Sequence, residues 1–184
     1  MFAVVHFLLI PLAWFVWGVP FFRNRGRTPK AAVVDRRARW GIAVEGVGFA
    51  LVWMNPYWQR PANPLSVAIG MAFVVVAWAF SFGAVSALGK QWRIEAGLNA
   101  DHELVRSGAY RIVRHPIYLS LLCMLVGSAA IVTTPLWELA AAIVFFLIGT
   151  EIRVRVEDNL LASRFGETFR AYQASVPAYL PLVR

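Results

Sequence analysis

The sequence predicts an all-α integral membrane protein of five transmembrane helices, with a C-terminal helical hairpin and a pocket on its cytosolic side. Three observations lead there. Of 184 residues, 59% are apolar and only 15% charged, and the mean hydropathy of +0.60 is more than a soluble domain needs. The apolar residues gather into five long runs. The cations gather between those runs, almost all on one side. The length allows a single membrane domain over 1–184, in which 1–88 holds three N-terminal membrane helices. Residues 89–184 hold a polar loop, the hairpin and a cytosolic C-terminal segment.

Residues 1–22 are apolar, with His6 the one ionisable side chain, and are long enough to span about 30 Å of hydrocarbon. The run lacks a basic n-region and a clear small-x-small cleavage site, and it contains Pro11, Trp14 and Trp17. It therefore reads as a membrane helix rather than a cleaved signal peptide. Residues 23–39 carry Arg23, Arg25, Arg27, Lys30, Arg36, Arg37 and Arg39 against Asp35 alone, the density of a loop kept in the cytoplasm. The second run, 40–54, is short and contains Glu45. An acid inside a membrane helix faces a partner or a cavity, so Glu45 either pairs with an interfacial Arg or lines a cavity. Pro56, Pro61 and Pro64 make 55–64 the outer turn, and 65–88 is the third run. Gly46-Val47-Gly48 is no dinucleotide fingerprint, because the third Gly is missing and no strand precedes it.

After the polar segment 89–114 comes the fourth run, 116–132, in which Pro116 takes the first helical position and His115 the cap. Thr133-Thr134-Pro135 turns so tightly that the fifth helix should run back antiparallel beside the fourth. Residues 136–150 are apolar except Glu138, 151–164 keep a helical pattern but turn charged, and Phe165-Gly166 ends or bends the helix. Seventeen of the eighteen cations then face the cytoplasm and only Arg60 does not. This places the N-terminus outside and the C-terminus inside. Both polar segments converge on the cytosolic face.

Two features of that face carry chemistry. The helix N-terminus at Pro116, with its free N–H groups and Arg114 beside it, suits a small anion such as a carboxylate. Arg153, Glu157, Leu161 and Phe165 recur at steps of four and form one ribbon on the emerging fifth helix. An exposed Arg153–Glu157 pair would be worth only about 0.3 to 0.5 kcal/mol, but the hairpin brings this ribbon beside His115. The net charge of +8 flanks apolar spans, so anionic lipid headgroups and not nucleic acid are the expected partner. Cys123 is the single cysteine, which excludes an intrachain disulfide and suggests no metal cluster.

The segment HELVRSGAYRIVRHPIY, followed after one hairpin by RVRVEDNLLASRFGETFRAYQASVPAYLP, resembles the isoprenylcysteine carboxyl methyltransferase family and the related phospholipid methyltransferases. The shared pattern runs His-x-Leu-Val, Gly-x-Tyr, Arg-His-Pro-x-Tyr, a pair of acids, Leu, Phe-Gly, Tyr and Val-Pro. It covers roughly the last 85 residues in order. The resemblance implies that S-adenosylmethionine is held by His102, Glu103, Leu104, Val105, Tyr110, His115, Pro116, Ile117, Tyr118 and Glu157, with Arg153 as the catalytic, substrate-side residue. It implies a lipid-tailed acceptor, with the carboxylate of a prenylated cysteine foremost and a phospholipid amine as the alternative. A carboxylate needs no general base, and Arg153 would orient it by a bidentate contact. An amine must lose a proton, which would require Glu157, Asp158 or Glu45. Three positions depart from the family: Ser120 stands where Gly is frequent and is expected to narrow the approach of helix to ligand, Asp158 replaces the second Glu, and Phe169 replaces a Tyr. Two rivals remain open, a nicotinamide-dependent enzyme related to the sterol reductases and a non-catalytic membrane scaffold.

The charge distribution predicts that a Cys placed at Ala62 is labelled by an impermeant thiol reagent from outside the cell and one at Thr28 is not. The reverse labelling would move the polar segments to the wrong side of the membrane.

Overall fold

A computed structural model describes residues 3–24, 31–54, 56–61 and 63–181. Arg25 to Lys30 of the first basic loop, with Thr28 among them, and Ala62 of the outer turn lie outside the described residues. The helices are α1 (Ala3–Asn24), α2 (Ala38–Trp53), α3 (Pro64–Leu88), α4 (Pro116–Ile131), α5 (Leu136–Phe165) and α6 (Glu167–Ser175). Their ends follow the Pro and Gly punctuation. Pro64 opens α3, and the side chain of Asn63 accepts from the N–H groups of Leu65 (3.0 Å) and Ser66 (3.3 Å), covering two donors that the first turn would leave bare. Gly166, at a φ of +52°, ends α5 and opens α6, because that backbone region suits a residue without Cβ.

Helix α4 sits at the centre. It touches α1, α2, α3 and α5, and Cys123, Met124, Leu125, Ala129 and Ile131 along it are buried in one core with Phe49, Val52, Val74 and Phe146. The surrounding helices turn large apolar side chains outward: Phe7, Leu12 and Phe15 of α1, Leu65, Ile69 and Val75 of α3, and Leu136, Trp137 and Val144 of α5. Apolar exposure on this scale marks a lipid-facing surface. Two helical stretches, His6–Asn24 and Pro64–Gln91, are long and apolar enough to cross a membrane, and Pro116–Ile131 is a shorter apolar helix. The protein is membrane-bound and nearly all-α.

Thr133, at a φ of +54°, lies in the turn between α4 and α5, and His115 at the start of α4 meets Glu157 and Asp158 in the far part of α5. Lengthwise, however, α5 lies against α2 and α4 lies against α3. Glycines explain the choice. A Cβ on Gly48 would stand 2.6 Å from the Ala142 carbonyl oxygen, one on Gly149 2.5 Å from that of Gly41, and one on Gly70 2.7 Å from that of Gly127. Backbones approach this closely where a glycine stands on at least one side of the contact, and in lipid such small-residue packing drives association.

A departure from the all-α expectation is a two-stranded antiparallel ribbon of β1 (Val33–Val34) and β2 (Gly97–Leu98). Two residues per strand are too few to show an alternating pattern. The ribbon ties the segment after α1 to the segment after α3, so both lie at one end of the bundle.

Gly46 and Gly48 separate the seam from the open face. A Cβ on Gly46 meets nothing within 4 Å. Gly48→Ala is expected to cost about 1 to 3 kcal/mol through overpacking and to lower the thermal unfolding midpoint of the detergent-purified protein, whereas Gly46→Ala leaves the midpoint unchanged or raises it. Equal effects at the two positions would argue against the seam.

Candidate functional site

The polar segments meet at the end of the bundle that carries the ribbon, around a cavity of about 610 Å³. From the loop after α3, His102, Glu103, Leu104 and Val105 line it. The Glu103 N–H donates to Gln91 Oε1 at 2.9 Å, which sets the path of this stretch, and His102 Nδ1 is buried without a partner. Tyr110 lies in a single helical turn at Gly108–Arg111. Its carbonyl accepts from the Tyr172 hydroxyl at 2.6 Å, so α6 braces the loop from behind. From α4 and its cap come His115, Ile117 and Tyr118, and from α5 come Arg153, Glu157 and Leu161. Phe165, next on the same ribbon, does not line the cavity, and its ring lies 6.2 Å from that of His102. Pro116 does not line the cavity: it is buried, and its role is to start the helix.

Arg114, expected beside an anion site at the helix N-terminus of Pro116, already has protein partners. The N–H groups of Arg114 and His115 donate to the carbonyls of Pro177 and Ala178, each at 2.8 Å. The Arg114 guanidinium donates to Asp158 Oδ2 at 3.0 Å, to the Gln173 carbonyl at 3.1 Å and to the Val176 carbonyl. The C-terminal segment thus takes up the donors that the loop seemed to leave open. His115 is the cap of α4 by position, but its side chain makes no capping bond. It faces α5 instead, with Nε2 2.9 Å from Asp158 Oδ1 and Nδ1 3.3 Å from Glu157 Oε2.

Both ring nitrogens face carboxylates, and only an imidazolium can donate from both. Burial alone would lower the pKa of His115, but the hydrogen bonds to Asp158 and Glu157 outweigh it and lift the pKa to about 9. Burial would likewise raise Glu157 and Asp158, yet the bond to His115 holds both below their ordinary range. These groups lie beyond the apolar part of α5. At neutral pH all three are charged.

Arg153 and Glu157 do not pair with each other, although one turn apart. Glu157 accepts from the Tyr118 hydroxyl. Arg153 Nη1 lies 3.0 Å from Glu45 Oε2 of α2, Nη2 donates to the Ile94 carbonyl at 3.3 Å, and the guanidinium stacks 4.6 Å above the Tyr118 ring. Glu45 therefore has an interfacial Arg as partner. Ser120 does not narrow the cavity: it is buried off the wall, and its hydroxyl accepts from Trp17 Nε1 at 3.1 Å. Asp158, the shorter second acid, holds His115, Arg114 and the Gln173 amide, the last at 3.1 Å. Phe169 is fully buried on the cavity wall.

The residues that pattern reading missed form the apolar side: Trp17, Gly18, Phe21 and Phe22 of α1, with Trp92 and Leu121. The Phe21 and Trp92 rings lie 5.1 Å apart. Their one signal in the sequence was an aromatic end to the first apolar run. The cavity lining thus combines polar side chains with aromatic ones, as small-molecule sites do. Among the described residues no cluster of His, Cys, Asp or Glu is fit to hold a metal.

The model of the isoprenylcysteine carboxyl methyltransferase family matches residues 68–163. Similar proteins include a cobalt-zinc-cadmium resistance protein of Cupriavidus metallidurans, 28% identical over 77% of this chain and 62% of its own length. Protein-S-isoprenylcysteine O-methyltransferase B of Arabidopsis thaliana is 34% identical over 45% of this chain and 41% of its own. For protein-S-isoprenylcysteine O-methyltransferase A of the same plant the values are 28%, 62% and 58%. The chain thus spans less than two thirds of the length of these relatives.

The His115 cluster predicts a pH dependence. Because its folded pKa lies near 9 and its unfolded value near 6.5, its stabilisation is complete below about pH 6.5 and is lost as the pH rises through about 9. The unfolding midpoint is expected to fall between pH 7 and 10 in the wild type, with a clearly shallower fall in His115→Gln. Parallel curves would remove the buried imidazolium.

Proposed function

Because this chain belongs to the isoprenylcysteine carboxyl methyltransferase family, we propose that it is an integral membrane methyltransferase acting on a lipid-tailed acceptor, with the carboxylate of a prenylated cysteine foremost. S-Adenosylmethionine, when bound, supplies a methyl group carried on a sulfonium. The observation that carries the reading is that the two halves of the motif, one from the loop after α3 and one from α5, line a single cavity whose other wall is aromatic. The residues fit the cofactor: the volume is within the range of small-molecule sites, Glu157 can accept from an amine or hydroxyl, and His102 Nδ1 is a buried polar atom still lacking a partner.

In this reading His102 to Val105, Tyr110, His115, Ile117, Tyr118 and Glu157 hold and orient the cofactor, and Pro116 acts through the helix start. Arg153, one turn before Glu157 and nearer the apolar run, faces the acceptor headgroup, while Trp17, Phe21 and Phe22 receive the tail. Methyl transfer is an in-line displacement, so alignment is the main task, worth up to about 7 to 11 kcal/mol. A carboxylate acceptor leaves no proton to remove. Five spans, with the N-terminus outside, put this cavity on the cytosolic side, and the ribbon between the first and second polar segments supports one shared side for both.

The test is titration of detergent-purified protein with S-adenosylhomocysteine and with NADPH, together with transfer of labelled methyl to a prenylcysteine analogue and to phosphatidylethanolamine. Glu157→Ala and His115→Ala should each weaken S-adenosylhomocysteine binding by about 1 to 3 kcal/mol. Binding of NADPH instead points to the reductase reading, labelling of phosphatidylethanolamine alone to an amine acceptor, and binding of neither ligand to a scaffold.

A further inference from the structure

We infer that Glu45 of α2 is a positioning residue that seats Arg153 at the acceptor end of the cavity; the inference rests on the methyltransferase reading above. Glu45 lies outside the span that the family model matches and does not itself line the cavity. It acts through Arg153, whose Nη1 it holds at 3.0 Å. Thr150 fixes the carboxylate in turn, donating from Oγ1 to Glu45 Oε1 at 3.0 Å. With the Ile94 carbonyl on Nη2 and the Tyr118 ring beneath, the guanidinium is held from three sides.

This is not a surface ion pair. The side chains of Arg153 and Glu45 are only 11% and 6% exposed, so removing either charge leaves the other buried without its counterpart. The backbone is shaped around the pair. A Cβ on Gly149 would stand 2.7 Å from Glu45 N and 2.8 Å from Glu45 Cγ, and one on Gly41 would collide with the Arg153 stem at Cγ. The two glycines that let α2 and α5 approach thus also open the channels through which these side chains reach each other.

A second carboxylate makes the choice of partner informative. Glu157, four residues after Arg153, stands at the usual spacing for a helical ion pair, but the Tyr118 hydroxyl and His115 occupy it. Glu45 takes Arg153 and thereby leaves Glu157 to the cofactor side. The two acids divide the site between cofactor and acceptor. An acceptor accordingly meets a guanidinium whose two Nη atoms each already have a protein partner, rather than the open two-point fork that a free arginine offers.

The experiment uses the full chain in detergent, with Glu45→Gln, Thr150→Val, Arg153→Lys and the double variant Glu45→Gln/Arg153→Lys. Three readouts are taken: the rate at which phenylglyoxal modifies Arg153 without any ligand, located by peptide mass spectrometry; the affinity for S-adenosylhomocysteine; and kcat and KM for a prenylcysteine analogue. In Glu45→Gln, modification of Arg153 should speed up several-fold and kcat/KM should fall on the order of tenfold, with cofactor affinity unchanged. Thr150→Val, which keeps the carboxylate, should shift both readouts the same way by less, and it carries the test if Glu45→Gln does not fold. The double variant should be no slower than Arg153→Lys alone, because Glu45 has nothing left to position. Unchanged modification of Arg153 in Glu45→Gln and in Thr150→Val overturns the inference, as do fully additive kinetic losses. A wild type that transfers no methyl to any acceptor overturns the functional reading instead, and the modification rates still decide the seating of Arg153.

Discussion

An imidazolium held between two carboxylates joins the halves of this molecule. His115 ends the basic loop and Glu157 and Asp158 lie far along α5, so their contacts at 3.3 and 2.9 Å set where the start of α4 meets the emerging part of α5. At the boundary of a bilayer a buried charge must be compensated, and partial compensation is costly. The cluster meets that demand with alternating signs, His115 between two acids and Arg114 on Asp158. The carbonyls of the C-terminal segment complete Arg114, which explains why Val176 to Ala178 lie across the loop.

The cavity follows from how the helices pair. Because glycine seams draw α5 onto α2 and α4 onto α3, the tight link between α4 and α5 does not close them along their length. Space remains near the polar end, and α1 covers it. The bond from Trp17 to Ser120 pins that cover where the aromatic end of α1 becomes a wall. Ser120 therefore serves helix packing, in place of the close ligand approach that Gly would permit.

Much of this was legible in the chain. Pro64, Pro116 and Gly166 stand where the helices begin or end, since their backbone preferences act locally. The first four apolar runs matched the observed helices to within a few residues, the fifth did so once its charged continuation is included, and Arg153, Glu157 and Leu161 of the ribbon line the cavity. The polar wall from His102 to Val105 was also readable, because the motif places chemistry-bearing residues in one short segment. The aromatic wall was not, because nothing local separates Trp17 and Phe21, which line a cavity, from Phe7 and Phe15, which face lipid.

The sequence by itself determined the class of protein, the helix boundaries, the charge asymmetry and the family motif, all of which depend on composition or on neighbours within a few turns. Tertiary structure alone decided which partner each charge took. Arg153 had Glu157 one turn away, yet its partner is Glu45, 108 positions distant, and Arg114, expected only to stand beside a helix N-terminus, bonds Asp158 and carbonyls of the C-terminal segment. For Arg153 the choice rests on how closely the α2 and α5 backbones approach, and that distance is set at Gly41 and Gly149, far apart in the chain.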